Sequence, residues 1–196
     1  MLIPLWKVMV DSLDLRTAYG MKLWPEKFGF DGYISVFTNP TLYRPLLVST
    51  ISTIAGTFVG LTLSTLGAYV LIQKDMPGRS FLSSMLLFTM IFNGGLIPTY
   101  LVMNSLGITN TLWVVITLPA LNVFNLVLMR NFFEGIPKSL FEAASIDGCS
   151  PMATFFRIVL PLSKAALAAI GLMFAVAYWN DYTTYKIYII NSDLFN

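Results

Sequence analysis

The residue types that most often carry out chemistry in proteins are scarce in this chain. It contains no histidine, the usual general base and metal ligand, and its single cysteine, Cys149, permits neither an internal disulfide nor a cysteine metal cluster. Ser163 and Lys164 come nearest to a nucleophile with a base, but adjacent residues of a helix point apart. The sequence therefore argues against a membrane-embedded hydrolase and predicts no catalytic residue and no metal site.

Residues that typically start and end a helix occur instead in a polar stretch, residues 130–156. Ser139 and Glu142 have the spacing of a capping box, and Gly148 is well placed to end a helix in a left-handed conformation. Between them, residues 140–147 form a helix of about two turns with one apolar side. So short a helix is unstable alone in water, so we expect it to pack against another surface, which can belong to a partner protein.

The composition indicates that most of the chain is surrounded by lipid. Of its 196 residues, 56% are hydrophobic and 11% are charged, with a mean hydropathy of +0.72. Soluble globular domains are about 45–50% apolar. A net charge of +2, scattered along the chain, is too small for a groove that follows a nucleic-acid backbone, so nucleic acid is excluded as a partner.

Four mainly apolar runs are long enough to cross a bilayer, which takes about 20 residues. Because these runs do not alternate like barrel strands, they predict an all-α, polytopic transmembrane helical bundle. The basic residues near their ends gather in the loops 73–80 and 130–157, which places both loops in the cytoplasm. The four predicted spans are residues 46–72, 81–103, 111–129 and about 155–179.

Small residues recur every fourth position along the first of these spans, and such a strip lets another helix approach closely. The second helix can come from the same chain or from a second membrane subunit, and the sequence favours neither decisively. The strip consists of Ser52, Gly56, Gly60, Ser64 and Ala68.

Polar and helix-breaking residues interrupt the second and third spans, notably at Asn93 to Gly95 and at Asn122 and Asn125. Loosened backbone at membrane depth is tolerated where protein or a water-filled cavity covers it, so a translocation path is one interpretation. Hydrogen bonds between helices are the other interpretation.

The loop carries the pattern E-A-A-x-x-D-G-x(9)-I-x-L-P, which resembles the EAA motif of ABC-importer permeases. That resemblance implies a helix that couples the membrane subunit to an ATPase. The fixed positions are Glu142, Ala143, Ala144, Asp147, Gly148, Ile158, Leu160 and Pro161.

Further segments are similar to the carbohydrate-uptake (MalG-like, LplC-like) group of these permeases, namely residues 92–100, 129–137, 157–164 and 178–180. The resemblance implies a MetI-like permease fold with six spans, so we expect a chain truncated at both ends with four full spans. One departure is Ala165, where many relatives have proline, and we expect it to straighten the fourth span.

This resemblance also implies a division of the chain. Residues 1–10 are expected to end a truncated first span, and residues 11–45 to form an extracytoplasmic segment. Residues 46–179 are expected to form the transmembrane domain with its cytoplasmic coupling loop, 130–156, and residues 180–196 to begin an extracytoplasmic C-terminal part.

The function implied is that of a multi-pass permease subunit in the bacterial cytoplasmic membrane, importing a sugar or oligosaccharide. The implied partners are a second permease subunit, two ATPase subunits that bind ATP and Mg, an extracytoplasmic solute-binding protein and membrane lipid. This chain itself holds no cofactor. The expected path residues are Asn93, Asn125, Trp179 and Asn180, although Trp179 equally suits an interfacial aromatic belt.

Two alternatives remain. One is a permease of the same kind for another solute, such as a peptide, an amino acid or a phosphonate. The other is a truncated fragment without function.

Overall fold

The computed structural model describes residues 2–14, 24–25 and 27–191, so residues 192–196 of the expected C-terminal segment lie outside the described part. Within that part the regular structure is helical, apart from one isolated bridge between Asp14 and Phe28. The chain divides into two compact units, Met1–Leu47 and Val48–Asn196.

The first unit contains two short helices, α1 (Leu2–Ser12) and α2 (Asp31–Thr38), and the first residues of α3. A hydrogen bond of 2.8 Å joins the hydroxyls of Ser12 and Tyr33 and so links α1 to α2. At 11 residues, α1 is shorter than the roughly 20 residues that a membrane crossing needs.

The second unit is built around the longest helix of the chain, α3, which supplies one wall of its core. The helices from α3 onward are α3 (Pro40–Ile72), α4 (Arg79–Ile91), α5 (Leu96–Ser105), α6 (Leu112–Thr117), α7 (Val123–Glu134), α8 (Lys138–Ile146), α9 (Pro151–Thr154), α10 (Leu160–Leu162), α11 (Lys164–Trp179) and α12 (Thr183–Tyr188). A π-helical turn, Phe155–Val159, joins α9 to α10.

The first predicted span is confirmed, because Tyr43–Ile72 within α3 is long and apolar enough to cross a membrane. The second is a bent pair, in which α4 and α5 meet at 120°. The backbone turns there at Gly95, whose φ of 86° is one that L residues rarely adopt. The side chains of α4 and α5 are all at least partly exposed. The third predicted span is divided between α6 and α7 by residues 118–122.

The expectation of a straight fourth span was wrong. Pro151–Leu162 and α11 meet at 81°, with the break at Ser163. Replacing a proline at position 165 does not remove the bend, because the hydrogen-bond ladder is weakened earlier. The π-helical turn disturbs its register, and Pro161 has no N–H to donate to the carbonyl of Arg157. Together with α3, the two bent pairs give at most three candidate spans among the described residues.

The small-residue strip of α3 packs against helices of the same chain, so the first of the two interpretations holds in this structure. A Cβ added to Gly56 would overlap the Tyr178 ring, and one added to Gly60 would lie 2.7 Å from Cε1 of Phe174. Nearer the start of the strip, the Tyr185 hydroxyl donates a hydrogen bond to Ser52 Oγ. The glycines are therefore notches that receive aromatic rings from α11.

Polar contacts fix these rings in place. The Tyr178 hydroxyl donates a 2.6 Å hydrogen bond to the carbonyl oxygen of Ile116 in α6, so one side chain joins α11 to both α3 and α6. A buried tyrosine hydroxyl needs such a partner, because an unpaired one costs about 1–3 kcal/mol. Phe174 and Tyr178 belong to a buried cluster with residues of α3 and α7, including Ala68 and Met129.

We expect Gly56→Ala to lower the free energy of unfolding by about 1–2 kcal/mol. The overlap with Tyr178 costs about 1–3 kcal/mol, and the helix propensity of alanine returns part of it. The matched control is Gly171→Ala on α11, whose added methyl would meet Leu61 Cδ2 at an ordinary 3.5 Å and should stabilise by about 0.5–1 kcal/mol. Unfolding by SDS in mixed micelles measures both changes. Equal effects of the two substitutions would contradict the conclusion that Gly56 is a notch for the Tyr178 ring.

Candidate coupling site

The helix of the EAA-like motif, α8, begins earlier than predicted. It runs from Lys138 to Ile146, and Pro137 precedes it with φ −56° and ψ 129°. The predicted capping box was wrong, since Ser139 lies inside the helix and no side chain caps its first turn. Pro137 fixes the direction of the chain just before the helix, and its carbonyl accepts the first helical hydrogen bond, from the Leu140 N–H at 3.1 Å.

The other end of α8 is closed by a Schellman motif, in which backbone groups satisfy the last carbonyls. The Cys149 N–H donates to the Ala144 carbonyl at 2.9 Å, and the Gly148 N–H donates to the Ser145 carbonyl at 3.1 Å. Gly148 has the left-handed φ of 71° that this arrangement requires, as predicted. A Cβ at Gly148 would meet nothing within 4 Å, so the constraint on this residue is conformational and not steric.

The chain after α8 is anchored to the helical core. Ser150 caps α9 by accepting a hydrogen bond from the Ala153 N–H at 3.2 Å. The carbonyl of Pro151 accepts a 2.8 Å hydrogen bond from the hydroxyl of Tyr69 on α3. The Tyr69 ring also packs on Phe155, with centroids 4.8 Å apart. The loop is therefore attached to the C-terminal end of α3, for which we propose a cytoplasmic location.

One side of α8 faces the protein and the other is exposed. Ala144 is 3% exposed, and Phe141 packs partly against the core. Glu142 and Ala143 lie on the exposed side. Ile146 lies there as well and is 86% exposed, although it is large and apolar. We define the exposed face of α8 as Glu142, Ala143 and Ile146.

Ile146 was not among the residues selected from the sequence. Its signal was present, because it lies four residues after Glu142 and three after Ala143, and both spacings share one helix face. The rest of the motif stays close in sequence but differs in exposure. Asp147 and Gly148 are exposed at the end of α8, whereas Ile158 and Leu160 are half-buried in and just after the π-helical turn. Pro161 is exposed.

The four expected path residues lie at three places in the second unit, because Trp179 and Asn180 are neighbours at the end of α11. Asn93 accepts a 3.0 Å hydrogen bond from the Gly95 N–H at the bend between α4 and α5. Asn125 is buried in α7, and Trp179 is half exposed at the end of α11. Asn180 donates to the carbonyl of Val176 at 2.9 Å. Asn93 and Asn180 thus each use a polar group to stabilise the local backbone.

Charged residues connect the start of α4 to the end of α3 and to α7, beside the start of α8. Arg79 donates from Nε to the Leu71 carbonyl at 2.6 Å and approaches Glu134 at 3.7 Å. Glu134 accepts a shorter bond, 2.9 Å, from Arg130. A cavity of about 580 Å³ lies between this loop and α8. At its edge, the proximity of Lys138 lowers the pKa of Lys74.

A long apolar helix, two bent helical pairs and a capped helix in a charged loop define an α-helical membrane component. The family described as "Binding-protein-dependent transport system inner membrane component" matches residues 79–194, more than half of the chain, and the chain belongs to this family. The predicted resemblance to binding-protein-dependent permeases is confirmed.

Two proteins of Bacillus subtilis (strain 168) are similar in sequence to most of this chain. The polygalacturonan/rhamnogalacturonan transport system permease protein YtcP is 47% identical over 170 residues, covering 87% of this chain and 59% of its own length. Protein LplC is 44% identical over 170 residues, covering 87% of this chain and 58% of its own. This chain thus spans less than two thirds of the length of either relative.

A solved structure gives the same result for the fold. The crystal structure of a bacterial ABC transporter involved in the import of the acidic polysaccharide alginate matches with a TM-score of 0.91 and 30% identity. The match covers 98% of this chain and 70% of that one. The all-α, MetI-like permease fold predicted from the sequence is confirmed.

We expect Gly148→Val to open the C-terminal end of α8, because a β-branched residue in the left-handed region costs about 1–2 kcal/mol. The amide protons of Gly148 and Cys149, which close the Schellman motif, should exchange about 5–30-fold faster. Gly148→Asn is the matched control, since asparagine tolerates this conformation and should preserve most of the protection. Hydrogen exchange with mass spectrometry measures both variants. Unchanged exchange in the valine variant would contradict the Schellman motif at the end of α8.

Proposed function

We propose that this chain is a transmembrane permease subunit of an ATP-binding-cassette importer that moves a sugar or oligosaccharide across the bacterial cytoplasmic membrane. Its family membership supports the transport role, and YtcP supports the cargo class, since that relative is described as a permease for polygalacturonan and rhamnogalacturonan. The structural relative belongs to an importer of another polysaccharide, alginate. Peptides, amino acids and phosphonates are therefore less well supported as cargo.

The observation that carries the mechanism is the exposed face of α8. This helix is shorter than the roughly 12–15 residues at which helices become even marginally stable alone, yet it is fixed by Pro137 before it and by the Schellman motif after it. A helix fixed at both ends while presenting Ile146 and Ala143 outward is suited to transmit force from a protein seated on it.

Each motif residue has a proposed role in this contact. Ala143 allows close approach, Glu142 pairs with a basic group of the ATPase, and Ile146 fills an apolar pocket there. Asp147 and Gly148 form the exit from the helix, while Ala144 packs inward and keeps α8 on the core. The remaining motif residues, Ile158, Leu160 and Pro161, carry the movement through the π-helical turn toward α11.

In this proposal the chain performs no chemical step. ATP and Mg are bound by two ATPase subunits, and closure of those subunits draws the coupling helices of two permease subunits together. Because Tyr69 and Phe155 join the loop to α3, a displacement of α8 moves the helical core as a rigid body. That movement alternates the exposure of a path to the two sides, and an extracytoplasmic solute-binding protein delivers the cargo.

The proposed path includes Asn93, Asn125, Trp179 and Asn180, whose amides and aromatic face suit hydroxyl groups and sugar rings. The expected division also stays a proposal, with residues 11–45 and 180–196 outside the membrane and residues 46–179 forming the transmembrane domain with its cytoplasmic loop.

The single cysteine provides a direct test of the partner. Cys149 is partly exposed one residue beyond Gly148, so a thiol-directed photo-crosslinker attached there should reach whatever sits on α8. In membranes of the host cell, we expect it to capture a protein that is itself labelled by an azido-ATP analogue. The control combines Cys149→Ser with Ser105→Cys and so moves the thiol to the end of α5. In the proposed orientation, this position lies on the other side of the membrane. Capture of an ATP-labelled protein from both positions, or from neither, would contradict the proposal.

Charge placed on the exposed face of α8 should weaken that contact. We expect Ile146→Glu to reduce affinity for the captured ATPase by at least about tenfold, because the loss of a central apolar anchor commonly costs about 2 kcal/mol or more. Ile190→Glu is matched in exposure, 85% against 86%, but lies after α12 and should leave affinity unchanged. Microscale thermophoresis with the purified ATPase measures both, and an unaffected Ile146→Glu variant would remove α8 from the contact.

A further inference from the structure

A cleft with a strongly basic lining lies beside the loop that follows α3. It has a volume of about 500 Å³, and its lining includes Lys74, Arg79 and Arg130 together with two serines, Ser80 and Ser83. Among the described residues that line it there is no carboxylate. The cleft therefore combines three cations with two hydrogen-bonding hydroxyls in one concave surface.

The positive charge around this cleft exceeds the negative charge that is paired with it. Arg79 and Arg130 share one carboxylate, Glu134, and both approach the same oxygen, Oε1. Lys74 lies near a further cation, since it lines the neighbouring cavity together with Lys138, and the proximity of Lys138 lowers the pKa of Lys74 against the weaker opposing effect of Asp75. Holding like charges together costs energy that an anion in the cleft would relieve.

The position of the cleft indicates where that anion comes from. Apart from Arg130 on α7, its residues lie between the end of α3 at Ile72 and the first turns of α4, which are the ends of two predicted membrane spans. Phe81, which follows the lining residue Ser80 in sequence, is 72% exposed, and Met85 lies one turn later on α4 with more than half of its surface exposed. An apolar surface leading away from a basic cleft matches a molecule with an anionic head and an apolar tail.

We propose that this cleft binds the phosphate group of an anionic phospholipid, with the acyl chains lying along α4. Basic clefts between membrane helices on the cytoplasmic side are suited to such headgroups, and each lysine or arginine near an anionic surface contributes about a fivefold gain in affinity. The side of the membrane rests on the proposed function, whereas the lipid contact itself does not.

The proposal links the lipid to the coupling helix. Lys138 is the first residue of α8, so the proximity of Lys74 to Lys138 places the cleft close to the start of that helix. A phosphate beside Lys74 offsets the repulsion between the two ammonium groups. Anionic lipid thereby stabilises the arrangement of the loop 73–78 against α8.

The test measures lipid retention on the chain itself. The protein in a neutral detergent is titrated with phosphatidylglycerol, and native mass spectrometry counts the bound molecules. We expect one site that prefers phosphatidylglycerol over phosphatidylcholine and that weakens about fivefold in Lys74→Gln. Lys74 is solvent-exposed, so this substitution leaves the Arg79–Glu134–Arg130 network in place.

The control is Lys164→Gln, which removes a lysine from the exposed start of α11, outside the cleft. Equal weakening by both lysine substitutions, or equal binding of the two lipids, would overturn the proposal. Soluble glycerol phosphate is the third arm, because competition at low millimolar concentration would show that the ligand is a free phosphate compound and not a lipid. Since no ATPase is present, failure here is distinct from failure of the Cys149 cross-link.

Discussion

The packing of aromatic rings from α11 into glycine notches on α3 is the interaction on which the second unit depends. Tyr178 lies over Gly56 and Phe174 over Gly60, and the approach is too close for any larger residue at the notches. In a bilayer the hydrophobic effect does not hold helices together, so contact at short range and satisfied polar groups have to do so. The Tyr178 hydroxyl bonded to Ile116 supplies the second requirement at the same place. This seam therefore joins α3, α6 and α11 at one place.

The same helix also governs the candidate coupling site. Near its other end, Tyr69 binds the Pro151 carbonyl and packs on Phe155, so one rigid helix contacts both the loop and the core. The loop helix α8 gains its order from these attachments and from backbone hydrogen bonds at Gly148, since its length alone would not sustain it. Such an arrangement transmits displacement because its weakest part is restrained at both ends.

The sequence predicted those features that depend on residue type or on a repeat. Gly148 required a left-handed conformation, the small residues of α3 formed a strip, and apolar length located α3. It located the interruptions at Asn93 to Gly95 and at Asn122, but not the angles of the bends, because hydropathy counts apolar residues without regard to the direction of the chain. The break at Ser163 depends on a π-helical turn that leaves no mark in composition. The capping box failed because the helix begins at Lys138, directly after Pro137 and two residues before the predicted first residue, Leu140. Ile146 was missed because it is not a fixed position of the motif, although its spacing placed it on the helix face of Glu142 and Ala143.

The bent pair formed by α4 and α5 contributes no fully buried side chain to the fold. Selection for stability therefore acts strongly on α3 and α11, whose notches and rings must match each other, while the many exposed side chains of α4 and α5 are open to selection by their surroundings. Among related chains, substitutions at Gly56 and Tyr178 should be coupled, and those along α4 and α5 should follow changes in lipid or in neighbouring subunits. Evolutionary variation in this protein thus separates into substitutions that preserve the fold and substitutions that follow its surroundings.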